Sequence, residues 1–163
     1  MPVNQESAGV GSPSSRSMAQ ARKQEMKLDS TLDSVDVAEE AVKRFAEQGG
    51  FSEDEVHQIG MAVRESVVNA VVHGNCYSSQ KKVTLVLELE RDRLTIRVRD
   101  QGVGFSLGDV PDPLASENLL RKSGRGLFLI QAFMDELHVN KLGADGMEVV
   151  MVKNSSPTTK EEV

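Results

Sequence analysis

One cysteine, Cys76, in 163 residues leaves no partner for an intrachain disulfide and no multi-cysteine metal site. A reducing cytosol is the natural setting for such a chain, and a cytoplasmic location is expected. No run of about 18 apolar residues occurs, so no membrane-spanning helix is expected. The opening residues, with Pro2, Gly9, Gly11, Ser12, Pro13, Ser14 and Ser15, lack the apolar stretch of a secretory signal. An excess of positive charge is also missing. The formal net charge is -6, so a phosphate backbone would be repelled and direct nucleic-acid binding is not expected. A locally basic nucleotide pocket remains compatible with that charge.

What is present fits one globular domain: 39% of residues are hydrophobic and 27% charged. Residues 1–24 read as a flexible tail, 25–154 as the folded domain, and 155–163 as a second polar tail. Met26 to Leu32 alternates early on and predicts a first strand. Val35, Ala38, Ala41, Val42 and Phe45 recur at helical spacing, with Ser34 as the expected cap and Gly49-Gly50 as the stop. Ser52 followed by Glu55 is a capping-box signature for a second helix, expected to run to about His73 and stop at Gly74. Thr84–Glu90 and Leu94–Arg99 alternate as two strands around a turn at Arg91-Asp92-Arg93. Phe105 to Ser123 is irregular, with Pro111 and Pro113, and reads as a functional lid. A helix from Gly126 to Leu137 and a hairpin of Leu137–Lys141 with Met147–Lys153 close the domain. The expected fold is α+β, a two-layer sandwich with helices on one face of a mixed, mainly antiparallel sheet.

The second helix carries a polar stripe. With Glu65 at zero on a wheel of roughly 100° per residue, Asn69 and His73 fall roughly 40° and 80° away. Val56, Ile59, Val63, Val67 and Ala70 lie opposite, and Met61, Val68 and Val72 take a third side. Such a stripe is either a solvated face or the wall of a pocket. Asn and His are poor helix formers, and apolar residues on both flanks favour the pocket. A carboxylate there can accept a proton from an attacking hydroxyl. An amide oxygen suits Mg²⁺, and an imidazole can donate to a phosphate oxygen.

Two glycine segments follow. Asp100-Gln101-Gly102-Val103-Gly104-Phe105 comes directly after a strand. It reads either as a plain turn or as a site where Asp100 accepts from a base amino group while Gly102 and Gly104 let backbone approach a flat ring. No third glycine opens a helix, so the dinucleotide fingerprint is absent. Ser123-Gly124-Arg125-Gly126 opens the next helix. It is either a capped start or a phosphate cradle, with Arg125 adding a cation. The Walker pattern is missing.

In this order the three segments resemble the GHKL, or Bergerat-fold, ATP-binding superfamily. Glu65-x-x-x-Asn69-Ala70-x-x-His73-Gly74 is similar to its N box, Asp100-x-Gly102-x-Gly104-Phe105 to its G1 box, and Gly124-Arg125-Gly126-Leu127 to its G2 box. The run from Arg64 to Asn75 and the Ser-Gly-Arg-Gly-Leu-Phe-Leu-Ile run resemble the anti-sigma-factor serine/threonine kinase group, RsbW- and SpoIIAB-like. The resemblance spans roughly Met26 to Lys153. It implies ATP and Mg²⁺ as cofactors, with Glu65 as general base and Asn69 as the Mg²⁺ ligand. Asp100, Gly102 and Gly104 would hold adenine; Gly124, Gly126, Arg125 and His73 would serve the phosphates. It implies a sigma factor and a STAS-type anti-sigma-factor antagonist as partners, and a homodimer. The departures, Ser66 and Val67 between the key positions and Asp112-Pro113-Leu114 in the lid, bear on partner choice.

A different class stays open: a regulatory module that holds ATP without transferring phosphate. A histidine-kinase core would need a phospho-acceptor helical domain, for which the residues before Met26 are too few. Cys76, His57 and His138 are expected to be inert or solvated, Lys81-Lys82 a solvated strand entry, and the methionines gap fillers.

Overall fold

The computed structural model describes residues 21–102 and 126–156. In chain order these form β1 (Ala21–Asp29), α1 (Asp33–Gln48), α2 (Glu53–Asn69), a π-helical segment (Ala70–Gly74), β2 (Lys82–Glu90), β3 (Arg93–Arg99), α3 (Gly126–Phe133), β4 (Glu136–Lys141) and β5 (Met147–Asn154). The strands make one five-stranded sheet in the order β1-β2-β3-β5-β4. Every pairing among the described residues is antiparallel, so the parallel component of a mixed sheet is not seen there.

Alternation decides which sheet face is covered. Leu85, Leu87 and Leu89 of β2, Leu94, Ile96 and Val98 of β3, and Met151 of β5 form one core with Val35, Val42 and Phe45 of α1 and Ile59, Val63 and Val67 of α2. Each such side chain withdrawn from water contributes about 1.5–3 kcal/mol. The other face carries charged pairs beside the buried Val86, Val150 and Val152. Glu88 there pairs with Lys23 and Arg97, and Glu148 with Arg99 and Arg97. This is the two-layer α+β sandwich that the alternation predicts.

The boundaries teach more than the elements. β1 is displaced from the expected Met26–Leu32: it begins at Ala21, where it pairs with Glu90, and ends at Asp29 opposite Lys82. It lies at the sheet edge, so its polar outer residues cost nothing and its alternation is faint beyond Met26. Ser34 is not the cap of α1. It lies inside the first turn, and Leu32 holds the cap position without a side-chain bond. The entry is set instead by the Thr31 turn, whose carbonyl accepts from Ser34 N–H at 3.1 Å. The capping box at Ser52 and Glu55 forms as the spacing predicts. Ser155 and Ser156, expected in the C-terminal tail, are tied back to Asp92 and to Glu55.

Candidate functional site

α2 keeps regular α-helical geometry only to Asn69; the helix does not continue unchanged to His73. The Asn75 N–H reaches five residues back to the Ala70 carbonyl at 2.7 Å, and the Tyr77 N–H reaches Val71 at 2.9 Å. Cys76 and Tyr77 then leave the axis in the left-handed region, at φ 50° and 59°. A widened last turn of this kind is frequent at functional sites. It also takes His73 off the α-helical phase of Glu65 and Asn69, and His73 is exposed.

Glu65 and Asn69 remain one turn apart and half-buried. The first residue of α3 packs onto them. A Cβ added to Gly126 would sit 3.1 Å from Glu65 Oε1 and 3.2 Å from Asn69 Nδ2. Only a residue without a side chain lets the start of α3 come this close. The stripe and the third glycine segment, about 60 positions apart in sequence, are therefore one place in space. Asn69 Nδ2 is buried without a hydrogen-bond partner among the described residues. A buried polar group in that state is uncommon in folded proteins and needs an explanation.

The second half of the site lies where the π-helical segment meets the end of β3. Asp100 Oδ1 accepts from the backbone N–H groups of Gly102 (3.0 Å) and Met147 (3.2 Å). Its own N–H donates to the Met147 carbonyl at 2.9 Å. Oδ2 lies against Gly74, where any Cβ would overlap the carboxylate, and a Cβ on Gly102 would overlap the Gly74 carbonyl. Gly146, at φ 122°, brings β5 equally close to the Asp100 carbonyl. Burial pushes the Asp100 carboxyl above the ordinary aspartate value; the two N–H bonds and the Lys81 charge oppose that without cancelling it. Asp100, Gly102 and Gly74 thus interlock, and Oδ2 accepts no hydrogen bond among the described residues.

Of the residues singled out by sequence, Glu65, Asn69 and Gly126 come together, as do Asp100 and Gly102. Gly104, Gly124, Arg125 and the expected lid lie outside the described residues. Sequence reading does not single out Gly146, which lies between the two hairpin strands, or Asn75, which is 1% exposed behind Asp100.

Among the described residues no three His, Cys, Asp or Glu side chains gather into a metal site. The residues fit a magnesium nucleotide: the unpartnered Asn69 Nδ2 is a donor suited to a phosphate oxygen, while Asn69 Oδ1 and the Glu65 carboxylate beside Gly126 are oxygens of the kind Mg²⁺ accepts.

Comparison with known proteins gives the same outline. Residues 28–153 match the model of the histidine kinase-like ATPase domain. The anti-sigma F factor of Clostridium acetobutylicum is 31% identical over 134 residues, covering 80% of this chain and 92% of that protein. The serine-protein kinase RsbW of Staphylococcus epidermidis is 32% identical over 136 residues, covering 79% and 84%. Among solved structures, the RsbU and RsbW domains of a Mycobacterium tuberculosis protein superpose with a TM-score of 0.60 at 20% identity, over 83% of this chain and 33% of that one. A chain of the SiaB-SiaC complex of Pseudomonas aeruginosa gives 0.60 at 12% identity, over 86% and 94%. At those identities the structures speak for the fold alone. The family match covers both halves of the site and the sheet between them, and the chain belongs to the histidine kinase-like ATPase domain family.

Proposed function

We propose that the protein is an ATP-dependent serine/threonine kinase and anti-sigma factor, which phosphorylates an antagonist protein and binds a sigma factor. The observation that carries this reading is the meeting of Glu65, Asn69 and Gly126. A carboxylate, an amide and a backbone that approaches both without a side chain suit phosphoryl transfer, because positioning and charge neutralisation dominate that reaction. The relatives named above, an anti-sigma F factor and a serine-protein kinase, support the same reading.

Each residue has a task within it. Asp100 Oδ2 accepts from the adenine amino group, and Gly102 gives the ring room. Gly126 offers its N–H to the phosphates. Asn69 would hold Mg²⁺, which when bound neutralises phosphate charge. Glu65 takes the proton of the attacking serine or threonine hydroxyl. That oxygen forms the new bond to phosphorus, the bond to the leaving ADP breaks, and the proton stays on Glu65. A STAS-type antagonist, a cytoplasmic setting and a homodimer complete the proposal. None of the described helices is long and apolar enough to cross a membrane.

The test is Glu65→Ala assayed with radiolabelled ATP and candidate antagonists. Transfer should fall by roughly 10²–10⁴-fold while nucleotide binding survives. Transfer at the normal rate would remove Glu65 from the mechanism. If the unaltered protein binds ATP but labels no serine or threonine, the regulatory-module reading replaces this one.

A further inference from the structure

The structure assigns to Asn75 the task of positioning Asp100: one buried amide holds the backbone that carries the base-reading carboxylate. The inference rests on the nucleotide reading above and adds a residue to it.

The side chain of Asn75 reaches three segments far apart in sequence. Its Oδ1 accepts from the Gln101 N–H at 2.7 Å. Its Nδ2 donates to Ser30 Oγ at 2.9 Å and to the Lys82 carbonyl at 3.1 Å. Ser30 Oγ donates onward to the Lys81 carbonyl at 2.6 Å. Gln101 closes the ring, its Oε1 accepting from the Lys82 N–H at 2.5 Å. Asn75 is 1% exposed, so these bonds are made away from water and are costly to lose.

The consequence falls on Asp100 from both sides. Its own N–H is fixed by the Met147 carbonyl, and the next N–H along the chain is fixed by Asn75. The peptide plane after Asp100 is thereby set by a side chain belonging to the turn that follows the polar stripe. A general structural role would not require the Oδ1 to meet that one N–H. The Nδ2 bonds anchor the amide, and the Oδ1 bond transmits the anchor to Asp100. Asn75 is a positioning residue, since it touches no substrate.

The experiment measures affinity for ADP and for inosine diphosphate, which carries oxygen where adenine has its 6-amino group. In the unaltered protein ADP should bind more tightly. Asn75→Ala should lower ADP affinity roughly two- to tenfold, the equivalent of one hydrogen bond, and leave inosine diphosphate nearly unchanged. Ser30→Ala removes a bond on the anchoring side only, and should preserve the ratio of the two affinities. Should Asn75→Ala fail to fold, Asn75→Ser is read the same way, since its hydroxyl is too short to span to Gln101. An unchanged ratio in the Asn75 variant, or an equal fall of the ratio in Ser30→Ala, overturns the inference. Failure of the unaltered protein to bind either nucleotide would instead sink the nucleotide reading itself.

Discussion

At the N-terminal end of α2, the Glu55 carboxylate is fully engaged: Oε1 accepts from Ser52 N–H at 2.9 Å, and Oε2 from Ser156 N–H at 3.0 Å and its hydroxyl at 2.7 Å. About three and four turns on, Glu65 and Asn69 have no such partners among the described residues, and the amide nitrogen of Asn69 is buried unpaired. The same helix thus carries one polar cluster closed upon the fold and one left open. The closed cluster joins α2 to the chain after β5 and stabilises the structure. The open one is held in place by packing of α3 and has its bonding capacity to spare. Satisfaction of hydrogen bonds is what separates the two clusters.

Gly126→Ala attacks the open cluster and should have the largest effect on it. The new methyl would lie 3.1–3.2 Å from Glu65 Oε1 and Asn69 Nδ2, so both must shift by tenths of an ångström. A misplacement of about 1 Å at a reacting centre costs about 10²-fold, so shifts of tenths of an ångström should lower phosphoryl transfer by a smaller factor, up to about tenfold. Folding stability should change by less than about 1 kcal/mol, because alanine favours the helix it enters. Paired kinase assays and urea unfolding separate the two. A large loss of stability with normal transfer would reverse the roles assigned to the two ends.

Glu55→Gln attacks the closed cluster. Glutamine keeps the size but turns a donor toward N–H and O–H groups, costing about 1–3 kcal/mol of stability with nucleotide affinity intact. The effect has a pH signature. Burial raises the Glu55 carboxyl, but the bonds from Ser52 and Ser156 outweigh it, and the net shift is downward. A lowered folded value means stability that is present above the ordinary glutamate range and lost as pH falls through the folded value. The gap between wild type and variant should close on acidification below about pH 4. Asp100 has the opposite sign: raised by burial, it stabilises fully below the ordinary aspartate range and loses that as pH rises through its folded value. Thermal unfolding of both proteins from pH 3 to 7 decides; a gap that widens on acidification would be incompatible with the bonds drawn for Glu55.

Much of this contrast is legible in the sequence. The capping box follows from Ser52 and Glu55 alone, because its partners are three residues apart. The pairing of Glu65 with Asn69 follows from helical period. The sheet follows from strict alternation in β2 and β3. What is not legible depends on tertiary neighbours. Ser34 looks like a cap, yet the Thr31 turn starts the helix earlier. The widening after Asn69 is set by the exit of Cys76 and Tyr77 and by the Asp100 carboxylate pressed against Gly74, and no local period announces either. Asn75 has the same difficulty: its partners at Ser30, Lys82 and Gln101 are strangers in sequence.

The smallest effect is also the sharpest for the comparison, because α2 holds a second unpaired polar atom. Ser66 Oγ is buried without a partner, like Asn69 Nδ2, but Ser66 is only 1% exposed and sits among the core-facing residues Ala62, Val63 and Val67. Asn69 is half-buried and lies against Gly126; Ser66, one turn earlier and roughly 60° round the helix from Asn69, is closed off from solvent. An unpaired group facing a site is held in reserve, whereas one facing the core is a plain cost. Ser66→Ala should therefore be neutral or stabilising, by up to about 1 kcal/mol, with ADP affinity and phosphoryl transfer unchanged. Urea unfolding at constant m-value reads the first part and a nucleotide titration the second. A destabilised variant, or one with weakened nucleotide binding, would mean that the hydroxyl has a task, and that lack of a partner alone does not tell the two ends of α2 apart.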